Sequence, residues 1–400
     1  MKIGISIWMF CPRTGGLQKH AEDLVLELQN LGHEVVVITR ASSFVPQFRE
    51  YIYRNEVEER LYRSGIEIRH LRYPNSLRIL QWIICKLAPR SQNPYISKIL
   101  IFLYLLLAKA SAIQSLRDCD LVHHIGQSTA LVGFAIHAAA RYLKIPFIVQ
   151  PTVHPNQCGD AFVDLKLFSL ADYLLVYTNF EKKFFENNFF NQPIAVVGSG
   201  ISDKSDGIGQ RFRSTYDIQN PFILYIGRKE TDKGYDLVFE SWKIARQTIP
   251  SLALVCIGPS GSLKLQPQPE FYDIDYCDEQ TKHDAIAACD CLCVPSKGES
   301  FGLIFIEAAR YAKPIIARRL PVLREILHEE GALLLGLEHQ FNQVDVDAIE
   351  IANAICNVLK DKDLAFKLGQ HAYQASSEFV WTKMILRFES VYRQAIAAYS

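Results

Sequence analysis

The chain has 400 residues, 49% of them hydrophobic, and 43 Lys or Arg balance 43 Asp or Glu to a formal net charge of zero. That length and apolar content suit two ordinary α/β domains and exclude a disordered or fibrous chain, and the balanced charge gives the whole chain no electrostatic mark of a nucleic-acid binder. The charge is unevenly spread, however: 13 Lys or Arg stand against 5 Glu between Arg40 and Arg117, a candidate surface for anionic partners.

Short apolar strands alternate with longer helical patterns from the start, as expected of parallel sheets covered on both faces. The first predicted strand, Lys2 to Ile7, leads into a polar glycine turn and not a cleavage site, so no signal peptide is expected and the chain reads as cytoplasmic. Thr14-Gly15-Gly16-Leu17-Gln18-Lys19-His20 then opens a helix to about Leu31. It lacks the G-x-G-x-x-G fingerprint, but a first βα turn lies outside the carboxyl ends of the strands, where ligands of open parallel sheets collect. His20, on the helix itself, reads as a packing residue.

Strands follow at Glu34 to Thr39 and Ile66 to Leu71. The basic, apolar region 69–117 contains Trp82, Ile83, Ile84 and the longest apolar run, Ile99 to Ala108. Ten residues are about half of what a membrane-spanning helix needs. One helical face there could meet anionic lipid, and core burial accounts for the same residues equally well. Further strands are predicted at Asp120 to His124, Pro146 to Gln150, Tyr173 to Tyr177 and Ile194 to Val197. His154 lies in Pro151-Thr152-Val153-His154-Pro155, again just past a strand end. A break at Gly198-Ser199-Gly200 and a polar hinge from Ser202 to Gly209 close the first series.

The second series begins with Phe222 to Ile226, followed by Gly227-Arg228-Lys229-Glu230-Thr231-Asp232-Lys233-Gly234. Arg228 and Lys233 could stabilise a diphosphate leaving group without a metal, although a solvated charged turn has the same composition. Leu252 to Ile257 and Cys289 to Val294 are the next strands. Cys289, Cys291 and Cys293 share one face, and with no C-x-x-C pair among the ten cysteines they read as buried reduced thiols and not zinc ligands.

Pro295 to Glu299 has loop composition, and a helix is predicted to start near Phe301 with Gly302 letting its N-terminal N–H groups approach a phosphate. Glu307 sits two turns on, in a helix apolar nearly all round, so its carboxylate needs partners. A ribose diol could supply them, as could an ion pair with Arg310 or another cation. Glu299 is favoured before a helix by the dipole alone. Strands at Pro314 to Ala317 and Ala332 to Leu335 follow, and Glu378 to Ala397 carries an aromatic stripe at partly helical spacing.

Together these segments resemble the family-four glycosyltransferases: Glu299 and Glu307 the Glu-x7-Glu motif, Gly227 to Gly234 the G-R-x4-K-G motif, Thr152 and His154 the Thr-x-His, and the last segment the tail helix. The resemblance implies a GT-B fold, two Rossmann-like domains facing across a cleft. Residues 1–200 would form the acceptor-side domain, 201–377 the nucleotide-sugar domain, and 378–400 a helix crossing back. It further implies that Arg228 and Lys233 hold the donor diphosphate, with backbone N–H groups around Phe301, Gly302 and Leu303. Glu299 would bond the donor sugar, Glu307 the ribose, His154 a sugar hydroxyl, and Gly15 and Gly16 donor phosphate or acceptor. The implied reaction is retaining front-face transfer from a nucleotide-diphosphate sugar, with no cofactor and no metal, to a glycan or lipid-linked acceptor in cell-surface polysaccharide or glycolipid synthesis. Peripheral contact with the inner face of the membrane is expected through 69–117. Pro155, Arg318 and Arg319 depart from the family pattern. A sugar-nucleotide epimerase and a non-catalytic sugar-nucleotide-binding subunit are the competing readings.

Overall fold

The computed structural model describes residues 1–10, 15–41, 60–63, 65–72, 78–88, 93–155, 158–188, 190–202, 206–338 and 344–399. The chain forms two compact units, Met1–Gly200 with Thr382–Ser400, and Ile201–Trp381.

In the first unit eight strands make one sheet in the order β3-β4-β2-β1-β5-β6-β7-β8. They are β1 Lys2–Met9, β2 Glu34–Ala41, β3 Arg60–Arg63, β4 Ile66–His70, β5 Leu121–Ile125, β6 Phe147–Gln150, β7 Tyr173–Val176 and β8 Ile194–Val196. All pairings are parallel except that of β3 with β4. The central strands are buried on both faces, which is why β1 reads as a nearly continuous apolar run. Gly4 packs closely there: a Cβ would lie 2.8 Å from Leu116 Cδ2, so that side chain would have to shift. Each predicted strand of this series is present. Sequence reading missed β3, whose Arg-Leu-Tyr-Arg sequence suits the sheet edge it occupies.

From Thr382 onward the helix Trp381–Tyr399 belongs to this unit. Tyr392 OH bonds His123 Nδ1 at 2.8 Å, His33 Nε2 meets Glu389 Oε1 at 3.2 Å, and Phe388 packs against the rings of His20 and His123. The aromatic stripe of the last segment is therefore core to the first unit.

This core holds three fully buried histidines, which give stability a defined pH dependence. Burial pushes His20 and His124 down to about 4 from 6.5, and His123 well below its ordinary value. The native state refuses protons that the unfolded chain accepts, so stability present above pH 6.5 is lost as pH falls toward 4. Glu181 acts in the opposite sense: burial raises it from 4.5 to about 7, so its contribution declines as pH rises across that interval. Three histidines outweigh one carboxyl. Denaturant midpoints measured in a pH series should therefore rise between about pH 4.5 and 6.5, and a flat profile there would contradict this account.

The second unit has a six-stranded, all-parallel sheet in the order β11-β10-β9-β12-β13-β14, with β9 Phe222–Ile226, β10 Ala253–Ile257, β11 Phe271–Ile274, β12 Cys291–Cys293, β13 Ile315–Arg318 and β14 Leu333–Leu335. A small antiparallel pair, β15 Leu337–Glu338 and β16 Val344–Asp345, stands apart. The edge strand β11 and this pair are the elements the sequence did not reveal. Trp242, Tyr225, Tyr235 and Phe222 fill the core. Burial raises the Cys256, Cys291 and Cys293 thiols well above their ordinary values. The described cysteines are all free.

One expectation is corrected in the first unit. The ten-residue apolar run lies within a 23-residue helix, Pro94–Leu116, long and apolar enough by length and composition to cross a membrane. The helix extends past the run because Asn93 caps its start, accepting from the N–H groups of Tyr95 and Ile96, and Pro94 sits at its first position. Its buried residues, including Tyr104, Ala108, Ala112 and Leu116, join the core cluster shared with the helix Val132–Leu143.

Candidate functional site

Strand order points to a candidate site in the second unit. From β9 the chain fills β10 and β11 on one side and then β12, β13 and β14 on the other, so the topology reverses between neighbouring strands β9 and β12. Ligands of open parallel sheets bind outside the carboxyl ends at such a reversal. The two loops that leave there are Gly227 to Gly234 and Val294 to Gly302, which carry both sequence motifs.

These loops are joined to each other. Lys297 N donates to Asp232 O at 2.8 Å, and Gly234 comes so close that a Cβ would lie 2.6 Å from Pro295 O. Gly234 also has φ 74°, which favours glycine, and it ends the short 3-10 turn Thr231–Lys233 before the helix Tyr235–Ala245. The turn aims Lys233 across the junction. Its Nζ contacts Glu299 Oε1 at 2.8 Å and donates to Gly298 O at 3.3 Å, with both side chains largely buried. Arg228, on the same loop, pairs with Asp232 at 2.7 Å, but both are exposed. Such a pair is weakly held and free to exchange partners. Tyr225 OH donates to Arg228 O at 2.6 Å and fixes the loop's backbone under it.

The helix after the second loop runs Leu303–Arg310 and so begins two residues later than predicted. Gly302 takes φ 88° as its cap residue, and no side chain caps this end. Phe301 is buried with its ring against Phe379, so any ligand contact it makes is through backbone. Leu303 is half-buried. Glu307 lies further along, nearly buried, and its cation is not Arg310, which packs on the Tyr373 ring. Lys282, from the helix Glu279–Ala288, contacts Glu307 Oε1 at 2.8 Å and Glu279 Oε2 at 2.9 Å. Burial alone would lower the Lys282 pKa; the two carboxylates outweigh it and hold it above its ordinary value.

Sequence reading missed the residues that brace this site. Lys229 is fully buried and reaches Asp273 at 2.7 Å and Asp275 at 3.4 Å, tying the β9 loop to the end of β11. Arg318, noted only as a departure from glycine, donates through Nε to Pro295 O at 2.9 Å and through Nη1 to Val344 O at 2.5 Å. Its substitution for glycine thus pins the motif loop. No spacing in the sequence signals either contact, because both join residues more than twenty positions apart.

The remaining predicted residues lie in the first unit. Gly16 begins the helix Gly16–Asn30 and Gly15 precedes it in extended backbone, both exposed; Thr14 falls outside the described residues. His20 is buried, with Nδ1 2.7 Å from Ser199 Oγ and Nε2 3.0 Å from Gln150 Oε1, more a structural hub than simple packing. His154 is half-buried and forms a two-way backbone bridge with Cys158, at 2.9 and 3.0 Å. Its loop is strained at Thr152, φ 58°, a rare conformation for a β-branched residue. The buried Glu181 carboxylate restrains this loop by accepting from Val153 N at 3.1 Å and Tyr177 N at 2.8 Å. Among the described residues no cluster of three or more His, Cys, Asp or Glu is arranged to hold a metal ion.

Two parallel α/β sheets flanked by helices, each with its own switch point, are the architecture of GT-B glycosyltransferases. Sucrose-phosphate synthase from Thermosynechococcus elongatus superposes with a TM-score of 0.70 at 18% identity, covering 99% of each chain. Anabaena HepE, solved in complex with UDP-glucose, gives 0.72 at 15% identity over 98% of this chain and 100% of its own. The chain belongs to the family of glycosyl transferases group 1 and family 4: the first of these family models matches residues 210–375 and the second, Glycosyltransferase Family 4, residues 14–204. A D-inositol 3-phosphate glycosyltransferase of Corynebacterium glutamicum (strain R) is 26% identical over 269 residues, 61% of this chain and 62% of that protein. Another, of Salinispora arenicola (strain CNS-205), is 29% identical over 197 residues, 44% of this chain and 42% of that protein. The chain thus aligns with only part of the length of these curated relatives.

Proposed function

We propose that the protein is a retaining, metal-independent glycosyltransferase. It would move a sugar from a nucleotide-diphosphate sugar to a hydroxyl of a glycan or lipid-linked acceptor, on the cytoplasmic side of cell-surface polysaccharide or glycolipid synthesis. The observation that carries this reading is the Lys233–Glu299 contact at the switch point of the second sheet, with Arg228 on the same loop and Glu307 on the helix that follows. A diphosphate gains negative charge as the glycosidic bond breaks, and fixed cations at its oxygens lower that barrier. Lys233 and Arg228 take this role. Glu299 bonds the hydroxyls of the transferred sugar and Glu307 the ribose diol, while backbone N–H groups of Gly302 and Leu303 add to phosphate binding. In the first unit Gly15, Gly16 and His154 serve the acceptor and the sugar. The leaving diphosphate accepts the proton of the attacking hydroxyl on the same face of the sugar, so the anomeric configuration is kept and no protein nucleophile is needed. The UDP-glucose bound in HepE supports the class of donor.

Thermal unfolding with UDP, GDP and ADP and their sugars tests the donor. The matching nucleotide at a hundred times its Kd should stabilise the protein by about 2.7 kcal/mol. Incubation with that donor and a panel of acceptors should then yield a product of unchanged anomeric configuration by NMR, insensitive to chelator. Conversion of the donor without any acceptor would favour an epimerase. No stabilisation by any nucleotide or nucleotide sugar would remove the proposal.

A further inference from the structure

The helix Pro94–Leu116 has two different apolar faces. One is core: Tyr104, Ala108, Ala112 and Leu116 are fully buried. The other points outward and is apolar as well. Tyr95 is 75% exposed, Ile99 59%, Phe102 60% and Leu106 67%, at spacings of four, three and four residues that align them in one stripe. A stripe of this kind normally meets a partner. The adjoining helix Arg78–Leu87 repeats the pattern, exposing Ile79, Ile83 and Leu87 at four-residue spacing.

Charge identifies the partner. Arg69 is buried and neutralised by Glu67 and Asp118, but residues 70–117 still contain seven Lys or Arg and no Asp or Glu. Lys98 and Lys109 flank the stripe. Lys98 Nζ lies 5.9 Å from the Tyr95 ring centroid and Lys109 Nζ 5.7 Å from that of the exposed Tyr142, while Lys86 lies 4.8 Å from that of Trp82. Among the described residues none of these three lysines is in an ion pair. Exposed aliphatic and aromatic side chains bordered by unpaired lysines suit the boundary between acyl chains and anionic headgroups, where rings sit at headgroup level and lysines reach outward. A second copy of the chain fits poorly, because symmetric pairing of the stripes would bring these lysines together with no carboxylate between them.

We propose that the outward face of Pro94–Leu116 docks in the plane of an anionic lipid bilayer. The helix lies on the membrane and does not cross it, since crossing would strip Tyr104, Ala108 and Ala112 from the core. The sequence left lipid contact and core burial as rivals for the same residues; the structure divides them between two faces. This docking does not depend on the proposed transfer chemistry.

Flotation of the full-length protein tests it, using vesicles of phosphatidylcholine alone and with phosphatidylglycerol added. The protein should float with the anionic vesicles, and high salt should release most of it. Phe102→Ser with Leu106→Ser should lower partition by at least roughly tenfold. Lys98→Gln with Lys109→Gln should lower it by more than about tenfold on anionic vesicles and hardly at all on neutral ones, since each lysine near an anionic surface adds roughly fivefold. These positions are exposed, so the variants should unfold at the wild-type temperature. No flotation with any vesicle, flotation unchanged in Phe102→Ser with Leu106→Ser, or a wild-type dimer that this variant dissociates would each overturn the proposal.

Discussion

Lys233→Ala is expected to lower kcat/KM for sugar transfer by roughly 10²- to 10³-fold, with most of the loss in kcat. The reason is the timing of charge. Before reaction the donor diphosphate is already anionic, and Arg228 can share its binding. As the glycosidic bond breaks, additional charge develops on the leaving oxygen, and a cation that is already oriented stabilises it without reorganisation. Lys233 is so oriented: a short 3-10 turn aims it, Gly234 lets its loop touch Pro295, and Glu299 and Gly298 hold its ammonium. Arg228 is exposed and, among the described residues, ion-paired with Asp232 alone, so Arg228→Ala should raise KM more than it lowers kcat. Removing Lys233 also leaves Glu299 without its cation, which should cost about 1–3 kcal/mol of stability and must be measured beside turnover. Glu299→Gln keeps Lys233 and removes its paired charge, so its stability reports the bracing role of the pair, while its turnover also carries the sugar contact assigned to Glu299. If the Lys233–Glu299 pair only braces the loops, Lys233→Ala will lose stability and keep its kcat.

Much of this fold was legible because the sheets are parallel and buried on both faces, which leaves near-continuous apolar strands such as Leu252 to Ile257 between helical segments. What stayed hidden lies at edges: β3 and β11 each pair on one side only, and edge strands need not be uniformly apolar. In the candidate site, Arg228, Lys233, Glu299 and Glu307 were legible as candidates because they stand in loops and a helix that follow strand ends. The tertiary partners were not. Glu307 was expected to meet a cation or a ligand, and nothing in its neighbourhood named Lys282, 25 positions earlier on another helix. Arg318 was visible only as a missing glycine, although its guanidinium holds the carbonyl of Pro295 at the root of the motif loop. His20 reads from sequence as a packing residue because its hydrogen bonds to Gln150 and Ser199 span 130 and 179 positions of sequence. Periodicity reports burial and strand ends report where ligands collect, but side-chain partners across elements have no period to read.

The contact between Lys282 and Glu307 allows the ribose assignment to be tested against a purely structural role. Glu307→Ala should weaken nucleoside diphosphate binding by roughly tenfold to a hundredfold, the worth of hydrogen bonds to a charged acceptor. A diphosphate of the 2′,3′-dideoxynucleoside should bind wild type correspondingly less well, and Glu307→Ala should no longer distinguish the two ligands. Lys282→Met makes the complementary prediction. Both side chains are largely buried, and removal of the cation leaves Glu307 uncompensated, so the ligand-free protein should lose about 3 kcal/mol. The ribose diol then meets a carboxylate with no competing ammonium, and nucleotide affinity should equal or exceed that of wild type. Affinity and stability are thus expected to move together in Glu307→Ala and apart in Lys282→Met. A carboxylate that served only its salt bridge would make both variants less stable and leave discrimination between ribose and dideoxyribose unchanged. Isothermal titration of the three proteins with the two ligands, alongside denaturant unfolding without ligand, distinguishes these cases even when the acceptor is unknown.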